Sequence, residues 1–404
     1  MQNSIYALAL EEKNWLDFLF YKIEKQHLTR SEEQSIKDFI MGKNYLPLCE
    51  AWKQHNFPIH LPEKRIINKD GSTKKRVVYS FPEEENIFLK FISFQLFRYD
   101  SYIAKNCFSF RRSHGVMHAV RQISSIPHVD QMYCLKADIS NYFNSIDVSI
   151  LLEQLSFLKE QDAMLFELFE KILSEDRVVE RGRIIHEAHG AMAGVPISPF
   201  LANIHLREID QYFLEKEIPY FRYSDDILIF AATEAELQER KHALFQMLHD
   251  LHLSVNQDKV AISLPGEPFE FLGFRFDNGS VDLSDHTLYR MKARIRRKAD
   301  SLRRWQRKKG LDSEKAAIGF INSMNHKLYG CPDDKEFSWN KWFFPNLTTD
   351  RRLKVIDQYM QEYIRYCITG RHYKGNYRIT YDMMKKWGYR SLVNEYYKKS
   401  ATEK

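Results

Sequence analysis

The hydrophobic positions of the first 60 residues repeat at helical spacing. Leu16, Leu19, Phe20 and Ile23 occupy positions i, i+3, i+4 and i+7, with charged side chains between them. Such spacing places the apolar side chains on one face of a helix. The pattern therefore predicts a helical N-terminal segment.

The pattern changes to short extended runs between residues 65 and 81. Two apolar runs flank Lys-Asp-Gly-Ser at 69–72, a turn signal, so this region is predicted to be a β-hairpin. Pro82 and three glutamates follow, and they open an apolar helix that reaches Leu96. Proline and acidic side chains are both favourable in the first turn of a helix.

Strands and helices alternate through the middle of the chain. The predicted elements are a strand at 133–138, helices at 150–173 and 199–213, two strands around a tight turn at 221–230, a helix at 234–253, and short strands at 260–262 and 271–274. This order is typical of an α+β fold with an antiparallel sheet of the split β-α-β type. The plainest boundary is near Asp285, where a basic helical pattern begins.

Composition and charge narrow the class of protein. The chain has 404 residues, of which 44% are hydrophobic, enough for a core in more than one domain. The formal net charge of +6 fits an anionic partner. The five cysteines are scattered without a Cys-x-x-Cys pair, so neither a zinc site nor a disulfide framework is predicted. We expect a cytoplasmic protein without membrane contact, because no signal-peptide pattern or membrane-length apolar run occurs.

Three aspartates form the candidate catalytic set. Asp138 follows an apolar strand, and Asp225 and Asp226 lie at the turn of the predicted hairpin 221–230. Carboxylates forced together repel unless a cation neutralises them, and Mg²⁺ takes oxygen ligands while leaving room for phosphates. Two such ions support in-line phosphoryl displacement. The alternative is that Asp225 and Asp226 only form a hairpin turn, where Asp is common. The apolar residues on either side of them and the presence of Asp138 at another strand end make this alternative weaker.

Five motifs in the order of one family lie between residues 65 and 274. They read DISNYFNSID at 138–147, GVPISPFLAN at 194–203, YSDD at 223–226, LSVNQDK at 253–259 and FLG at 271–273. The set resembles the prokaryotic reverse transcriptases of the group II intron and retron superfamily, most of all the compact defence-associated enzymes of bacteria. This resemblance implies a right-hand polymerase fold and RNA-directed DNA polymerase activity.

The resemblance and the charge pattern together divide the chain. The predicted parts are a helical extension at 1–60, fingers and palm at 61–284, a basic helical thumb at 285–330 and an aromatic, basic helical segment at 331–404. Like charges along the thumb helix repel, which favours an anionic partner such as a nucleic-acid duplex. The aromatic residues of the last segment suit RNA stacking or form the core of a small helical domain.

The resemblance also implies roles for single residues. Asp138, Ile139, Asp225 and Asp226 would hold two Mg²⁺ ions. Nucleotide binding would fall to Lys69, Arg76, Phe143, Gly194, Ser198 and Lys259, and primer or template binding to Tyr223, Phe271, Leu272, Gly273, Arg294 and Arg297. Phe143 stands at the position of the family's sugar gate, which selects deoxynucleotides. Lys69 and Arg76 stand at the positions of its triphosphate clamp. Lys259 stands at the position of the lysine that faces the leaving pyrophosphate.

Each of these assignments has a plainer alternative. Phe143 could be a core aromatic, Lys69 and Arg76 part of a solvated hairpin, and Lys259 a surface lysine. One departure also stands out: many relatives carry Pro-Gln before the motif glycine, whereas Met-Ala precedes Gly194 here. Nucleotide contacts or fidelity are therefore expected to differ from those relatives.

The resemblance favours cDNA synthesis from deoxynucleoside triphosphates on a dedicated structured non-coding RNA, in anti-phage defence. Two alternatives are a maturase-like RNA-binding protein and a template-independent or RNA polymerase on the same palm. The template, the priming mode, the product, any activation by infection and the oligomeric state stay open.

Overall fold

The structure is a computed structural model that describes residues 4–26, 28–68, 75–112, 114–330 and 338–402. It contains two compact units. The first comprises residues Met1–Ala119 and Gln131–Pro265, and the second Val120–Asp130 and Gly266–Lys404.

The chain forms nineteen α-helices and eleven strands within these described ranges. The helices before residue 251 are α1 (Ile5–Ala9), α2 (Glu12–Gln26), α3 (Arg30–Met41), α4 (Tyr45–Lys53), α5 (Glu83–Gln95), α6 (Val116–Ser125), α7 (Tyr142–Ser145), α8 (Val148–Gln154), α9 (Leu158–Gln161), α10 (Ala163–Ser174), α11 (Ser198–His205), α12 (Arg207–Glu215) and α13 (Glu234–Asp250). The later helices are α14 (Asp285–Lys309), α15 (Ser313–Tyr329), α16 (Trp339–Phe343), α17 (Arg351–Thr369), α18 (Tyr381–Lys386) and α19 (Leu392–Thr402). The strands are β1 (Glu63–Asn68), β2 (Lys75–Ser80), β3 (Tyr133–Asp138), β4 (Arg177–Glu180), β5 (Arg183–His186), β6 (Tyr220–Tyr223), β7 (Asp226–Ala231), β8 (Ala261–Ser263), β9 (Phe269–Phe271), β10 (Phe274–Asp277) and β11 (Ser280–Leu283).

The N-terminal helices pack around Trp15, whose side chain is fully buried. Its ring stacks on Phe91 with 4.0 Å between ring centres and on Tyr45 with 5.1 Å. Thr29 and Glu32 form a capping box that begins α3. The predicted helical N-terminal segment is confirmed by α1 to α4.

Two hairpins build a sheet with the strand order β2-β1-β4-β5. The antiparallel pair β1–β2 confirms the first predicted hairpin, and β1 also pairs in parallel with β4. The second hairpin, β4–β5, is absent from the predicted elements. The sequence feature that marks this hairpin is the pair Arg181-Gly182 at its turn. Both residues have positive φ (51° and 76°), as two-residue hairpin turns require.

A central sheet with the order β6-β7-β3-β8 is antiparallel throughout. Leu135, Ala137, Ile227 and Ile229 are buried in one core cluster with residues of the surrounding helices. The helices α7 to α12 connect β3 to β6, and α13 connects β7 to β8. The predicted α+β class and antiparallel split β-α-β arrangement are therefore confirmed.

Two of the predicted helices are interrupted. The segment 150–173 consists of α8, α9 and α10, because Asp162 has a non-helical φ of −156° and caps α10 by accepting a hydrogen bond from the backbone N–H of Leu165. The segment 199–213 divides into α11 and α12 at Leu206. Apolar spacing alone does not detect such caps.

The prediction of a strand at 271–274 is wrong. Leu272 and Gly273 have positive φ values of 52° and 88°, and they form the turn between β9 and β10. A single apolar run therefore conceals two short strands joined by a left-handed turn.

The second unit consists of the sheet β11-β10-β9 and a group of helices in which α14, α15 and α17 pack together. Ser284 caps α14 by accepting a hydrogen bond from the backbone N–H of Thr287. Met291, Ile295 and Ala299 are its buried residues, whereas Trp305 is 45% exposed. The basic helix thus begins where the charge pattern predicts.

None of the helices in the described ranges combines the length and the apolar content that a bilayer crossing needs. The division into fingers, palm and thumb stays a prediction.

Candidate active site

The three predicted catalytic aspartates lie at one end of the central sheet. Asp138 ends β3 and is the register partner of Asp226, the first residue of β7. Asp225 lies in the turn before β7, where Ser224 has a left-handed φ of 60°. The backbone N–H of Ile139 donates to the carbonyl oxygen of Asp225 at 3.2 Å. This hydrogen bond fixes the turn against the end of β3.

The carboxylates are crowded and partly withdrawn from water. Burial, and next the charge of Asp138, raises the pKa of Asp225. Burial also raises the pKa of Asp226 to about 6; Lys136 opposes this shift, and the two other aspartates add to it. Each shift means that the site disfavours additional negative charge. The cluster therefore attracts a cation.

Lys259 contributes one cation to the cluster. Its Nζ donates to Oδ1 of Asp138 at 2.6 Å, and its side chain remains 49% exposed. Burial lowers the pKa of Lys259, but the hydrogen bond and the charge of Asp138 outweigh burial and raise it. The backbone N–H of Asn256 donates to the carbonyl oxygen of Asp138 at 2.8 Å, which ties the segment before Lys259 to β3.

A cavity of about 750 Å³ opens beside Asp138 and Asp225. The predicted site residues on its wall are Arg76, Asp138, Ile139, Phe143, Gly194, Ser198, Asp225 and Lys259. Asp226 and Tyr223 lie next to this wall in the chain but not on it. Lys69, the other half of the predicted triphosphate clamp, lies outside the described residues.

The oxygen-rich part of the wall fits Mg²⁺. Asp138 and Asp225 present carboxylates, and Ile139 lies on the wall with them. Mg²⁺ is commonly held by one or two carboxylates together with substrate phosphates. No group of three or more His, Cys, Asp or Glu side chains within the described ranges has the geometry of a metal site.

Gly194 brings its loop against the β1–β2 hairpin. Its φ is 105°, and a Cβ at this position would lie 2.8 Å from the carbonyl oxygen of Tyr79. The N–H of Tyr79 donates to the carbonyl oxygen of Ala193 at 2.8 Å. Asn144 also bridges the two segments, accepting from the N–H of Ala193 at 2.8 Å and donating to the carbonyl oxygen of Val77 at 3.3 Å. These contacts fix the hairpin that carries Arg76.

Ser198 shapes the same loop from within. Its buried hydroxyl lies within hydrogen-bonding distance of the carbonyl oxygens of Ala191 and Met192, the latter at 2.7 Å. The side chain of Met192 is itself buried in the core, whereas Ala193 lines the cavity. The departure from Pro-Gln thus leaves a small apolar side chain on the wall.

Phe110 is a site residue that the sequence analysis misses. Its ring centre lies 6.2 Å from that of Phe143 and 6.3 Å from that of Tyr223. The residue is 40% exposed and has a φ of 56°. A left-handed backbone is rare for a bulky side chain, and such conformations concentrate at functional sites. No pattern in the surrounding sequence marks it.

A buried ion pair beneath the turn of Ser224 and Asp225 is also absent from the sequence-based predictions. Arg222 and Asp210 are both fully buried, and Nε and Nη2 of Arg222 donate to the two carboxylate oxygens at 2.7 and 2.5 Å. Nη1 of Arg222 lies 3.2 Å from the carbonyl oxygen of Ser224 and 3.2 Å from Oδ1 of Asn203. The available signal is a single arginine inside an apolar strand, which needs a buried partner.

The remaining predicted residues belong to the second unit. Leu272 and Gly273 form the turn after Phe271, and the hydroxyl of Thr287 donates to the carbonyl oxygen of Gly273 at 2.9 Å. On α14, Arg297 is exposed and Arg294 is half-buried. Their predicted roles in primer or template binding stay predictions.

The fold is an α+β arrangement with three acids at one end of its central sheet and a cavity beside them, and comparison with known families specifies the class of protein. The family described as reverse transcriptase (RNA-dependent DNA polymerase) matches residues 67–276, which is about half of the chain. The chain therefore belongs to the reverse transcriptase family.

Two curated relatives come from Escherichia coli. Protein YkfC of strain K12 is 25% identical over 207 residues, covering 42% of this chain and 54% of that protein. The Retron Ec83 reverse transcriptase is 28% identical over 145 residues, covering 34% of this chain and 45% of that protein. The chain thus spans about half the length of the curated relatives it matches. Among solved structures, an apo telomerase of Candida tropicalis is similar with a TM-score of 0.44 and 12% identity, over 55% of each chain.

Proposed function

We propose that the protein is an RNA-directed DNA polymerase that makes cDNA by two-metal nucleotidyl transfer. The observation that carries the proposal is the grouping of Asp138, Asp225 and Lys259 on the wall of one cavity of about 750 Å³. Carboxylates and a cation at one wall can bind a nucleoside triphosphate and the ions that accompany it.

Different residues of the cavity wall would contact different parts of the nucleotide. Both Arg76, on the fixed hairpin, and Phe143 lie on the cavity wall. Arg76 would meet the triphosphate, and the ring of Phe143 would exclude a 2′-hydroxyl. The oxygen of the primer 3′-hydroxyl bonds to the α-phosphorus and loses its proton to water, while the bond from that phosphorus to the pyrophosphate oxygen breaks. Bound Mg²⁺ would stabilise charge on the attacking and leaving oxygens, held by Asp138 and Asp225 with Asp226 beside them.

Lys259 acts on the leaving group. Its raised pKa keeps it protonated at neutral pH, so it can neutralise or protonate the departing pyrophosphate. Its half-exposed side chain allows the ammonium group to exchange Asp138 for a phosphate oxygen.

The wider role in this proposal is cDNA synthesis on a dedicated non-coding RNA in bacterial anti-phage defence, in the cytoplasm. The motif resemblance supports it, together with partial identity to a retron reverse transcriptase. The exposed basic face of α14, including Arg297, would contact the phosphates of the template–primer duplex, as expected of a thumb.

Primer extension on an RNA template tests the proposal. Wild-type protein with Mg²⁺ and deoxynucleotides is compared with Asp225→Ala/Asp226→Ala and with the control Glu239→Ala/Asp250→Ala, which changes two exposed acids of α13. We expect extension to be lost in the first variant only. Extension that survives the first variant would refute the assigned site. Retained RNA binding without any extension would favour the maturase-like alternative. Extension with ribonucleotides would favour an RNA polymerase, and extension without a template would favour a template-independent polymerase.

A further inference from the structure

The β1–β2 hairpin has an open edge that is closed by groups from outside its sheet. β2 is the outer strand in the order β2-β1-β4-β5, and the outward backbone groups of an edge strand need partners from elsewhere in the fold. The N–H of Tyr79 donates to the carbonyl oxygen of Ala193 at 2.8 Å. The carbonyl oxygen of Val77 accepts from Nδ2 of Asn144 at 3.3 Å. The side chain of Asn144 therefore takes the place that a neighbouring strand would have at this edge.

The same side chain also holds the loop at 190–194. Oδ1 of Asn144 accepts a hydrogen bond from the N–H of Ala193 at 2.8 Å. An amide suits this position because it offers an acceptor and a donor on one side chain. A carboxylate could accept from Ala193 but could not donate to Val77, and a methyl group could do neither. The residue type at 144 is thus matched to the two backbone groups that it joins.

The loop at 190–194 also fixes the residue before Asn144. The N–H of Ala191 donates to the carbonyl oxygen of Phe143 at 2.7 Å. A Cβ at Gly190 would lie 2.6 Å from that same oxygen, so glycine permits this close approach. Phe143 and Asn144 are consecutive residues of α7, which is a single helical turn. The loop therefore holds the ring of Phe143 and the amide of Asn144 together.

The other end of this connection is Arg76. It directly precedes Val77 on β2, it is exposed, and it lies on the wall of the catalytic cavity together with Phe143. Asn144 is not part of that wall. Its influence on a ligand in the cavity must therefore pass through the hairpin and through the ring of Phe143.

We propose that Asn144 is a positioning residue that fixes the place of the Arg76 hairpin relative to the ring of Phe143. Triphosphate binding and discrimination against ribonucleotides would then depend on one side chain. The inference rests on the proposed function, in which Arg76 meets the triphosphate and Phe143 excludes a 2′-hydroxyl. A nucleotide held by its phosphates presents its sugar at a defined place. A hairpin that shifts relative to the ring would leave room for the additional hydroxyl.

Nucleotide binding to a complex that cannot react tests the inference without catalysis. The full chain is bound to an RNA template with a DNA primer that ends in a dideoxynucleotide. Calorimetry with Mg²⁺ then gives Kd for the next complementary deoxynucleoside triphosphate and for the matching ribonucleoside triphosphate. We expect wild type and the control Asn56→Ala, which changes an exposed asparagine away from the cavity wall, to bind the deoxynucleotide more tightly. Asn144→Ala should weaken deoxynucleotide binding about tenfold and lose most of this discrimination.

Three further variants separate positioning from a general loss of structure. Asn144→Asp keeps the acceptor for Ala193 and removes only the donor to Val77, so it should change both Kd values in the same direction as Asn144→Ala. Adding Asn144→Ala to Arg76→Ala should have little further effect on the Kd of the deoxynucleotide. Adding it to Phe143→Ala should leave the ratio of the two Kd values unchanged. Partial unfolding would instead lower the number of binding sites per chain without changing Kd.

Unchanged Kd values in Asn144→Ala and Asn144→Asp would overturn the proposal, and so would full additivity in both double variants. Equal wild-type Kd values for the two nucleotides would also overturn it, because there would be no discrimination to position. A wild-type protein that binds neither nucleotide would contradict both the inference and the proposed function. A wild-type protein that shows the expected binding but extends no primer would contradict the proposed activity alone.

Discussion

Replacing Asp210 by Asn should expose the energetic role of the ion pair beneath the catalytic turn. The carboxylate accepts from Nε and Nη2 of Arg222 at 2.7 and 2.5 Å and from the hydroxyl of Tyr220 at 2.9 Å. Asn has nearly the same shape, but it presents an amide N–H₂ to one of these donors. It also leaves the fully buried guanidinium without a counter-charge, because the amide oxygen of the new side chain and the oxygens of Asn203 and Ser224 are all neutral acceptors.

The magnitude follows from the burial of both partners. Neither side chain of the Arg222–Asp210 pair is exposed to solvent, and removing one partner of a buried pair costs about 3–5 kcal/mol. The whole free energy of unfolding of a domain is about 5–15 kcal/mol. We therefore expect Asp210→Asn to remove a large fraction of the stability of the first unit. Glu33→Gln is the control, because it breaks a partly exposed i,i+4 pair with Lys37 that is worth about 0.5 kcal/mol.

Urea unfolding, with hydrogen exchange of peptides from β7 and α14, measures the effect. Asp210→Asn should lower the unfolding free energy by about 3–5 kcal/mol and speed exchange in β7, while α14, in the other unit, keeps its protection. A cost below about 1 kcal/mol, or one equal to that of Glu33→Gln, would refute the reasoning.

Three other substitutions test the site. Phe143→Ala should increase ribonucleotide incorporation, since the wall beneath the sugar loses its ring; an unchanged ratio in competitive primer extension would contradict the sugar gate. Lys259→Ala should lower kcat about 10²-fold without changing the primer–template Kd; single-turnover extension with parallel binding measurements checks this, and a matching loss of binding would argue against it. Asp226→Asn should raise the unfolding free energy at neutral pH by about 1–3 kcal/mol. The pKa of the Asp226 carboxyl is raised to about 6 in the folded protein, whereas its pKa in the unfolded chain is about 4. The carboxylate therefore destabilises the fold increasingly as the pH rises above about 4. Below that value the difference should vanish, and equal urea midpoints for the two proteins at neutral pH would disprove it.

The parts of the fold that depend on short sequence patterns are those that could be predicted. The apolar strand before Asp138 and the apolar flanks of Asp225 and Asp226 each determine a local structure, and the antiparallel sheet brings these structures together. The hairpin β1–β2 follows from its turn signal. The break at Asp162 could not be predicted in this way, because a cap is a contact between one side chain and one backbone N–H.

Residues that act through tertiary contacts could not be predicted from short sequence patterns. Arg222 and Asp210 lie on different elements, and only the folded packing of β6 against α12 joins them. Phe110 gains its position from a backbone conformation that its residue type disfavours. Motif matching assigned Ser198 to the nucleotide, whereas its hydroxyl also supports the loop beside the cavity.

The cations around the acids differ in what they can do, and this difference connects stability with catalysis. Arg222 is fully buried and paired, so it can only support the turn. Lys259 is half-exposed and contacts Asp138 directly, so it offsets the repulsion among the carboxylates while the cavity lacks substrate. In the proposed function, a nucleotide that arrives with its metal ions would supply other positive charge to Asp138 and would bring phosphates for Lys259. The same lysine would then move from neutralising an acid to neutralising the leaving pyrophosphate, and its loss should both weaken the free site and slow the chemical step.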